Sequence, residues 1–270
     1  MMRKTATFFS WMALTAMIAF APHVWAQSNA PLDITADNAL EWQRGENRYV
    51  ARGNAVASQG NQTLKGQTLT AYYDPTDGGA TDLTRILADG NVTLIRADTT
   101  ITGSAAEYDL RTEKARVTGS NLKMSAPGMQ VVANEYFEYD SPRNRITAKG
   151  DAVATEGETR LETETIVAHL STNENGKRVV KSYEAPGRVK IITPTETAEG
   201  DRGTYNPATE MAILTGNVVI NQGQNVLKGE KAEVNMQTGV SRMFAAPDAG
   251  ASPAGRVTGR FYPKGSQPNE

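Results

Sequence analysis

RGNAVASQGNQTLKG, residues 52–66, returns near the other end of the chain as TGNVVINQGQNVLKG, residues 215–229. Gly-Asn, Gln-Gly and Leu-Lys-Gly keep equal offsets in both copies: Gly53, Asn54, Gln59, Gly60, Leu64, Lys65, Gly66 and Gly216, Asn217, Gln222, Gly223, Leu227, Lys228, Gly229. The pattern predicts a hairpin. Alternating side chains run into a polar Gln-Gly turn and out again, and Gly beside Asn supplies the positive φ that tight turns and bulges require.

More diverged copies lie between these two, each with a glycine before an apolar alternation, at Gly53, Gly90, Gly119, Gly150, Gly187 and Gly216. The spacings are 37, 29, 31, 37 and 29 residues. Each unit has room for two or three short strands, so six units and a leading strand predict about 14 to 18 strands. Many strands end in an aromatic and a turn-former, as in Tyr73-Asp74-Pro75, Tyr108-Asp109, Tyr139-Asp140-Ser141-Pro142 and Tyr205-Asn206-Pro207. There Asp or Asn caps its own turn and Pro fixes φ. Helical periodicity is almost absent, which predicts an all-β chain: an elongated, solenoid-like stack of short antiparallel strands. Such a stack has an open edge at each end, to be capped or to recruit another strand.

Residues 1–26 read as a secretory signal peptide: Arg3 and Lys4 precede an apolar block from Ala6 to Phe20, and small residues predict a cut after Ala26. Its removal takes away two basic residues and leaves 26 against 30 acidic ones, a formal charge of about -4 that makes nucleic acid an unsuitable partner. With no cysteine the exported chain has no disulfide, so the fold rests on its core and hydrogen-bond ladder, as suits a bacterial periplasm. The organisation expected is a signal peptide at 1–26, a β stack at 27–244 and a Pro-, Gly- and Ala-rich tail at 245–270.

Catalytic chemistry has little to work with. The mature chain offers one histidine, His169, at a strand end where other units carry Tyr, and it reads as a structural strand residue. Glu156, Glu158, Glu162 and Glu164 form the densest carboxylate group; an exposed sheet face accounts for their even spacing, with metal or sugar chemistry as the alternative. No catalytic set, metal or cofactor is expected. What remains is the inside of the stack. Two and four residues after each anchor glycine stand Val92/Leu94, Val189/Ile191 and Val218/Ile220, but Ala55/Ala57 and Ala152/Ala154 in the first and fourth units. The small residues leave space for neighbours such as Tyr72, Met124, Met129, Tyr136 and Phe137, or for a ligand.

PLDITADNALEW, the repeated G-N-x-V-x-x-Q-G, and the L-K-G followed by Y-D in the first copy resemble the LptA/OstA family of periplasmic bridge proteins in lipopolysaccharide export. The resemblance is best from Pro31 to Asp109 and from Leu214 to Met243. It implies a twisted, slightly open β-jellyroll whose apolar interior shields lipid A acyl chains of lipopolysaccharide, with no enzymatic step. The implied partners are the inner-membrane lipopolysaccharide transporter complex, the outer-membrane insertion complex and further copies of the chain joined head to tail. The groove is expected along Ala55, Ala57, Leu69, Val92, Leu94, Ile101, Tyr108, Ala152, Ala154, Val189, Ile191, Val218 and Ile220, with Ile34, Ala36 and Val234 at the assembly edges. Lys65 and Lys228 are candidates for meeting the phosphorylated head group at the groove mouth. Six units exceed a single short bridge protein, which suggests a longer variant or an accessory relative. A structural or adhesive β-repeat protein of the envelope is the competing expectation.

Overall fold

A computed structural model describes residues 31–75, 81–174, 176, 178–235, 237–238, 240–246 and 256–262, so the expected signal peptide lies outside the described residues. β1 (Asp33–Thr35) and β2 (Ala39–Gln43) lead into two long hairpins, β3 (Arg48–Gln59) with β4 (Gln62–Pro75) and β5 (Thr81–Arg96) with β6 (Thr99–Asp109). Four short strands follow: β7 (Lys114–Thr118), β8 (Leu122–Ala126), β9 (Met129–Ala133) and β10 (Tyr136–Asp140). The long pair β11 (Arg145–Glu156) and β12 (Thr159–Thr172) precedes β13 (Arg178–Ala185), β14 (Val189–Ile192), β15 (Thr197–Gly200) and β16 (Arg202–Asn206). A fourth long pair, β17 (Met211–Gln222) and β18 (Asn225–Asn235), then gives way to β19 (Val240–Phe244) and β20 (Thr258–Arg260).

The glycines explain why the long strands differ from the short ones expected. In β3, Gly53 (φ 83°) and Asn54 (φ 42°) are both left-handed, and the ladder to β4 slips between Arg52 and Ala55. Two residues therefore stand against one, a bulge that bends the strand without ending it. Gly90-Asn91, Gly150-Asp151 and Gly216-Asn217 do the same in β5, β11 and β17. On either side of the bend the strand has different partners. Residues 48–52 of β3 pair with β2 and 56–58 with β1; residues 145–149 of β11 pair with β10 and 153–156 with β9; residues 211–215 of β17 pair with β16 and 219–221 with β15.

The result is one continuous antiparallel sheet creased along its length into two facing walls. β3, β4, β5, β6, β11, β12, β17 and β18 run through both walls; β2, β7, β10, β13, β16 and β19 complete the first, and β1, β8, β9, β14, β15 and β20 the second. The sequence expectation of 14 to 18 short strands becomes twenty among the described residues; several are long, β5 reaching 16 residues, because four of the anchor glycines mark mid-strand bends. Each wall still counts fourteen rungs, and at about 4.8 Å per rung the crease runs for about 60 Å. Within the tail expected at 245–270, β20 pairs with β18.

The architecture repeats with a long period. β2, β3, β4 and β7 recur 97 residues later as β10, β11, β12 and the first half of β17, and Gly53, Gly90 and Gly119 recur as Gly150, Gly187 and Gly216. Six units are thus two tandem sets of three, the second using β9 and β10 where the first uses β1 and β2. At Gly119 and Gly187 the chain does break, between β7 and β8 and between β13 and β14, so only four of the six anchors are bends inside a strand.

Three of the four bends are held by hydrogen bonds from the segment facing them. The Asp201 N–H donates to the carbonyl of Gly216 at 2.9 Å, and Asn217 Nδ2 donates to Asp201 Oδ2 at 2.8 Å. Asp37 does both for Gly53 and Asn54, each at 2.8 Å. At the third bend the side chains trade places: Asn134 Nδ2 donates to Asp151 Oδ2 at 3.5 Å. A Cβ on Gly216 would lie 2.5 Å from Asp201 Oδ2, on top of the cost of a left-handed backbone. Gly216→Ala is therefore expected to lower unfolding stability by about 1 to 3 kcal/mol in denaturant titrations, whereas Gly187→Ala, with open space around it, should change it by less than about 0.5 kcal/mol.

Candidate functional site

Among the described residues, the buried apolar groups lie in the space between the walls. Positions that alternate with the outer face converge there from both walls, and they pack in three groups along the crease. The first joins Ala51, Leu69, Ile86 and Tyr108 to Ala55, Ala57, Leu64 and Val92. The middle one is largest and includes Ile101, Leu122, Met124, Met129, Val131, Phe137, Tyr139, Ala152 and Ala154. The last holds Val189, Ile191, Ala198, Leu214, Val218 and Ile220. All thirteen residues expected to line a groove face this interior; twelve are buried and Leu94 is half-buried between the first two groups.

How the space is filled differs along the crease. Around Ala152 and Ala154 the neighbours occupy it, since Met124, Met129 and Phe137 are all buried in the same group. Tyr72 and Tyr136 do not contribute: Tyr136 lies on the outer face with the Arg116 guanidinium 4.5 Å over its ring, and Tyr72 alternates with the buried Tyr73 beside Arg48. Around Ala51 and Ala57 the filling is incomplete. A small apolar cleft, with enclosed room of about 20 Å³, is lined by Leu32, Ile34, Leu40, Tyr49, Leu69 and Ile86 with those two alanines. It opens at the β1–β2 end, where Leu40 is 60% exposed and Trp42 51%. Trp42 is held in place there, stacking on Tyr49 at 5.7 Å and donating its indole N–H to Tyr73 Oη at 2.7 Å.

Charged groups gather at the rims, where hairpin turns close each wall. Arg96 and Glu156 stand six residues after the anchors Gly90 and Gly150, and the alternation that points the second and fourth residues inward points the sixth inward too. Burial lowers the Arg96 pKa and raises that of Glu156. From the opposite rim Arg178 lies over the buried Tyr139 ring at 5.5 Å and donates to Ser141 Oγ at 3.1 Å. Burial, and then the Glu156 and Tyr205 charges, push the Tyr183 hydroxyl pKa up, and its oxygen is buried without a hydrogen-bond partner. At the β14–β15 turn Glu196 is buried, and burial raises its pKa to about 7. Continuing the inward count to the sixth residue would have found Arg96 and Glu156 from sequence; Arg178 and Glu196 come from turns whose geometry the sequence pattern leaves open.

Several expected placements are corrected. Lys65 and Lys228 are exposed on the outer face, pairing with Thr93 and Val219, so neither reaches the interior. Val234 is buried on β18 between β17 and β19 and is no edge; the edges at that end are β19 and β20. Ile34 does lie on an edge strand, with Ala36 just beyond it, both half-buried on the first group. A turn at Gly157-Glu158 divides the acidic group between two strands, and Glu162 is bonded outward to Arg160 Nε at 2.6 Å. His169 is a strand residue 3.2 Å from Glu184. Among the described residues no three His, Cys, Asp or Glu side chains converge as a metal ion would require.

The Glu196 carboxyl has a testable consequence. Between its ordinary value of 4.5 and about 7 the folded chain keeps a proton that the unfolded chain has released, so stability falls as pH rises through that window. Thermal melts of the natural protein should shift to lower temperature from about pH 5 to pH 7, and Glu196→Gln should flatten that slope.

Comparison with known proteins bears on the same interior. The model of the family described as "LptA/(LptD N-terminal domain) LPS transport protein" matches twice, over residues 33–136 and 130–240. These two matches follow the two tandem sets of rungs. No curated protein matches in a sequence search. Among solved structures the chain is similar to the crystal structure of LptH, the LptA homologous periplasmic component of the lipopolysaccharide transport device from Pseudomonas aeruginosa. That similarity is 14% identity over 87% of this chain and 96% of that one, with a TM-score of 0.23. On the family match, which takes in most of its length, the chain belongs to the LptA/(LptD N-terminal domain) family of LPS transport proteins.

Proposed function

We propose that the creased sheet is a non-enzymatic carrier that shields the acyl chains of lipopolysaccharide between its walls on their way from the inner to the outer membrane. The observation that carries this reading is the partly unfilled apolar end of the interior, with Leu40 and Trp42 exposed at its mouth. Between the two end edges the strands pair with a neighbour on either side, so an acyl chain lying between the walls meets backbone groups held in the ladder. Each methylene buried contributes about 0.8 kcal/mol, about 8 to 10 kcal/mol for a twelve-carbon chain, and no charged anchor is needed to hold it. Arg96 and Arg178, at the rims, are the cations placed to meet phosphate on the sugar head.

Two tandem sets give this chain about twice the length of crease that one family match covers, which suits a protein spanning more of the periplasm by itself. Export through the segment ending at Ala26 would place it there. The two ends of the stack, at β1–β2 and at β18–β20, are the surfaces that would meet the inner-membrane transporter complex, the outer-membrane insertion complex or another copy joined head to tail. A structural or adhesive role predicts the same edges without displaceable lipid. The mature protein should bind a fluorescent acyl probe that lipopolysaccharide displaces, and Ala57→Phe, which fills the pocket, should weaken the probe by about tenfold or more while Lys65→Ala leaves it unchanged. Equal probe binding by the natural protein and Ala57→Phe would remove the pocket from the lipid path.

A further inference from the structure

β18 is covered on its second-wall edge by a piece of chain that follows the family match. The match ends at residue 240, and β20 lies beyond it. Three residues pair antiparallel, Lys228 with Thr258, Leu227 with Gly259 and Val226 with Arg260, and the Tyr262 N–H donates to Asn225 Oδ1 at 2.9 Å. The first half of β18 is the counterpart of β9, each being the strand after a two-residue turn that follows an anchor glycine. On β9 the next rung is the second half of β11, where Ala154 faces Val131; on β18 the tail puts Gly259 opposite Leu227. The Phe261 ring then fills in over that glycine, 2.8 Å from where a Cβ would stand, with Leu227 Cδ2 at 3.2 Å.

We infer that β20 is a displaceable cap on this growing end, closing in cis the edge to which a second copy of the chain would add its β1. β20 itself makes a poor docking edge: it has three exposed residues, one of them Arg260 and one glycine, and Pro263 follows soon after. Beneath it the first half of β18, residues 225–229, is the edge that can extend the second wall, since β19 covers the other half. In a second copy stacked in the same direction, β1 would run parallel to β18, because β1 holds on β3 the place that β9 holds on β11. Parallel pairing is slightly weaker per residue, so a short antiparallel strand tethered to the same chain competes with it effectively. The inference rests on the head-to-tail bridge reading.

The full chain carries its own test. Neighbouring N–H groups in a strand point to opposite sides, so Thr258→Pro with Gly259→Pro must remove at least one bond to β18. That variant should self-associate about tenfold more tightly in sedimentation equilibrium, as for a cap open in one molecule in ten. Because the chain has no cysteine, Val226→Cys with Arg260→Cys can form a single disulfide pinning β20 down. Oxidised, it should associate more weakly than the natural protein, and reduction should restore association. An unchanged or weaker association of the proline variant, an oxidised lock that associates like the natural protein, or a lock that does not form under oxidation would each overturn the cap. Acyl-probe binding by the same samples reads the carrier function separately, so its failure is told apart from failure of the cap.

Discussion

At three of the four bends, Gly53, Gly150 and Gly216, a glycine carbonyl that the ladder would leave without a neighbour accepts the N–H of a residue between two short strands, Asp37, Asn134 or Asp201. That one bond settles two matters together. It satisfies the backbone where the long strand leaves one wall, and it fixes the point at which the neighbouring chain changes walls. The Asn or Asp after the glycine adds a side-chain bond to the same residue, and the exchange of Asn and Asp at Asn134 and Asp151 shows that the pair matters and not its direction. If the bends were not aligned from rung to rung, the apolar faces of the two walls would not oppose each other, and no interior would form.

The crease also sorts the edges. A flat sheet of this many strands would expose apolar surface on a whole face; folded on itself it exposes backbone edges only at its two ends. Among the described residues, the large apolar side chains that remain exposed, Leu40 and Trp42 at one end and Val240, Phe244, Val257, Phe261 and Tyr262 at the other, are all on or beside those terminal strands. Surface left apolar only where the ladder stops is what an assembling or lipid-receiving end requires.

Much of this was legible in the residues. The alternation after each anchor glycine gave the inward set correctly, because a strand's period of two passes through the Gly-Asn bulge with its parity kept: Ala51, Ala55 and Ala57 are all inward. What the pattern could not give was that the glycines lie in mid-strand, since a bend and a turn ask for the same left-handed residues. Nor did it expose the tandem order, although the spacings 37, 29, 31, 37, 29 already repeat after three. Lys65 and Lys228 were misplaced for a simpler reason: each follows an inward Leu in the chain, and the next residue of a strand faces the other way.

The three packed groups differ in what they bury, and that difference has a dynamic meaning. The middle group is built from Tyr139, Phe137, Leu122, Met124 and Met129, whereas the first relies on Ala51, Ala55, Ala57 and Ala88. In a stack whose rungs touch only their neighbours, local opening follows local burial. Amide hydrogens near β1 and β2 therefore exchange with solvent through fraying of the end rungs, long before those of β9 to β12 do. The alanine-rich end breathes while the aromatic centre holds the register, so the chain has a soft mouth and a stiff spine.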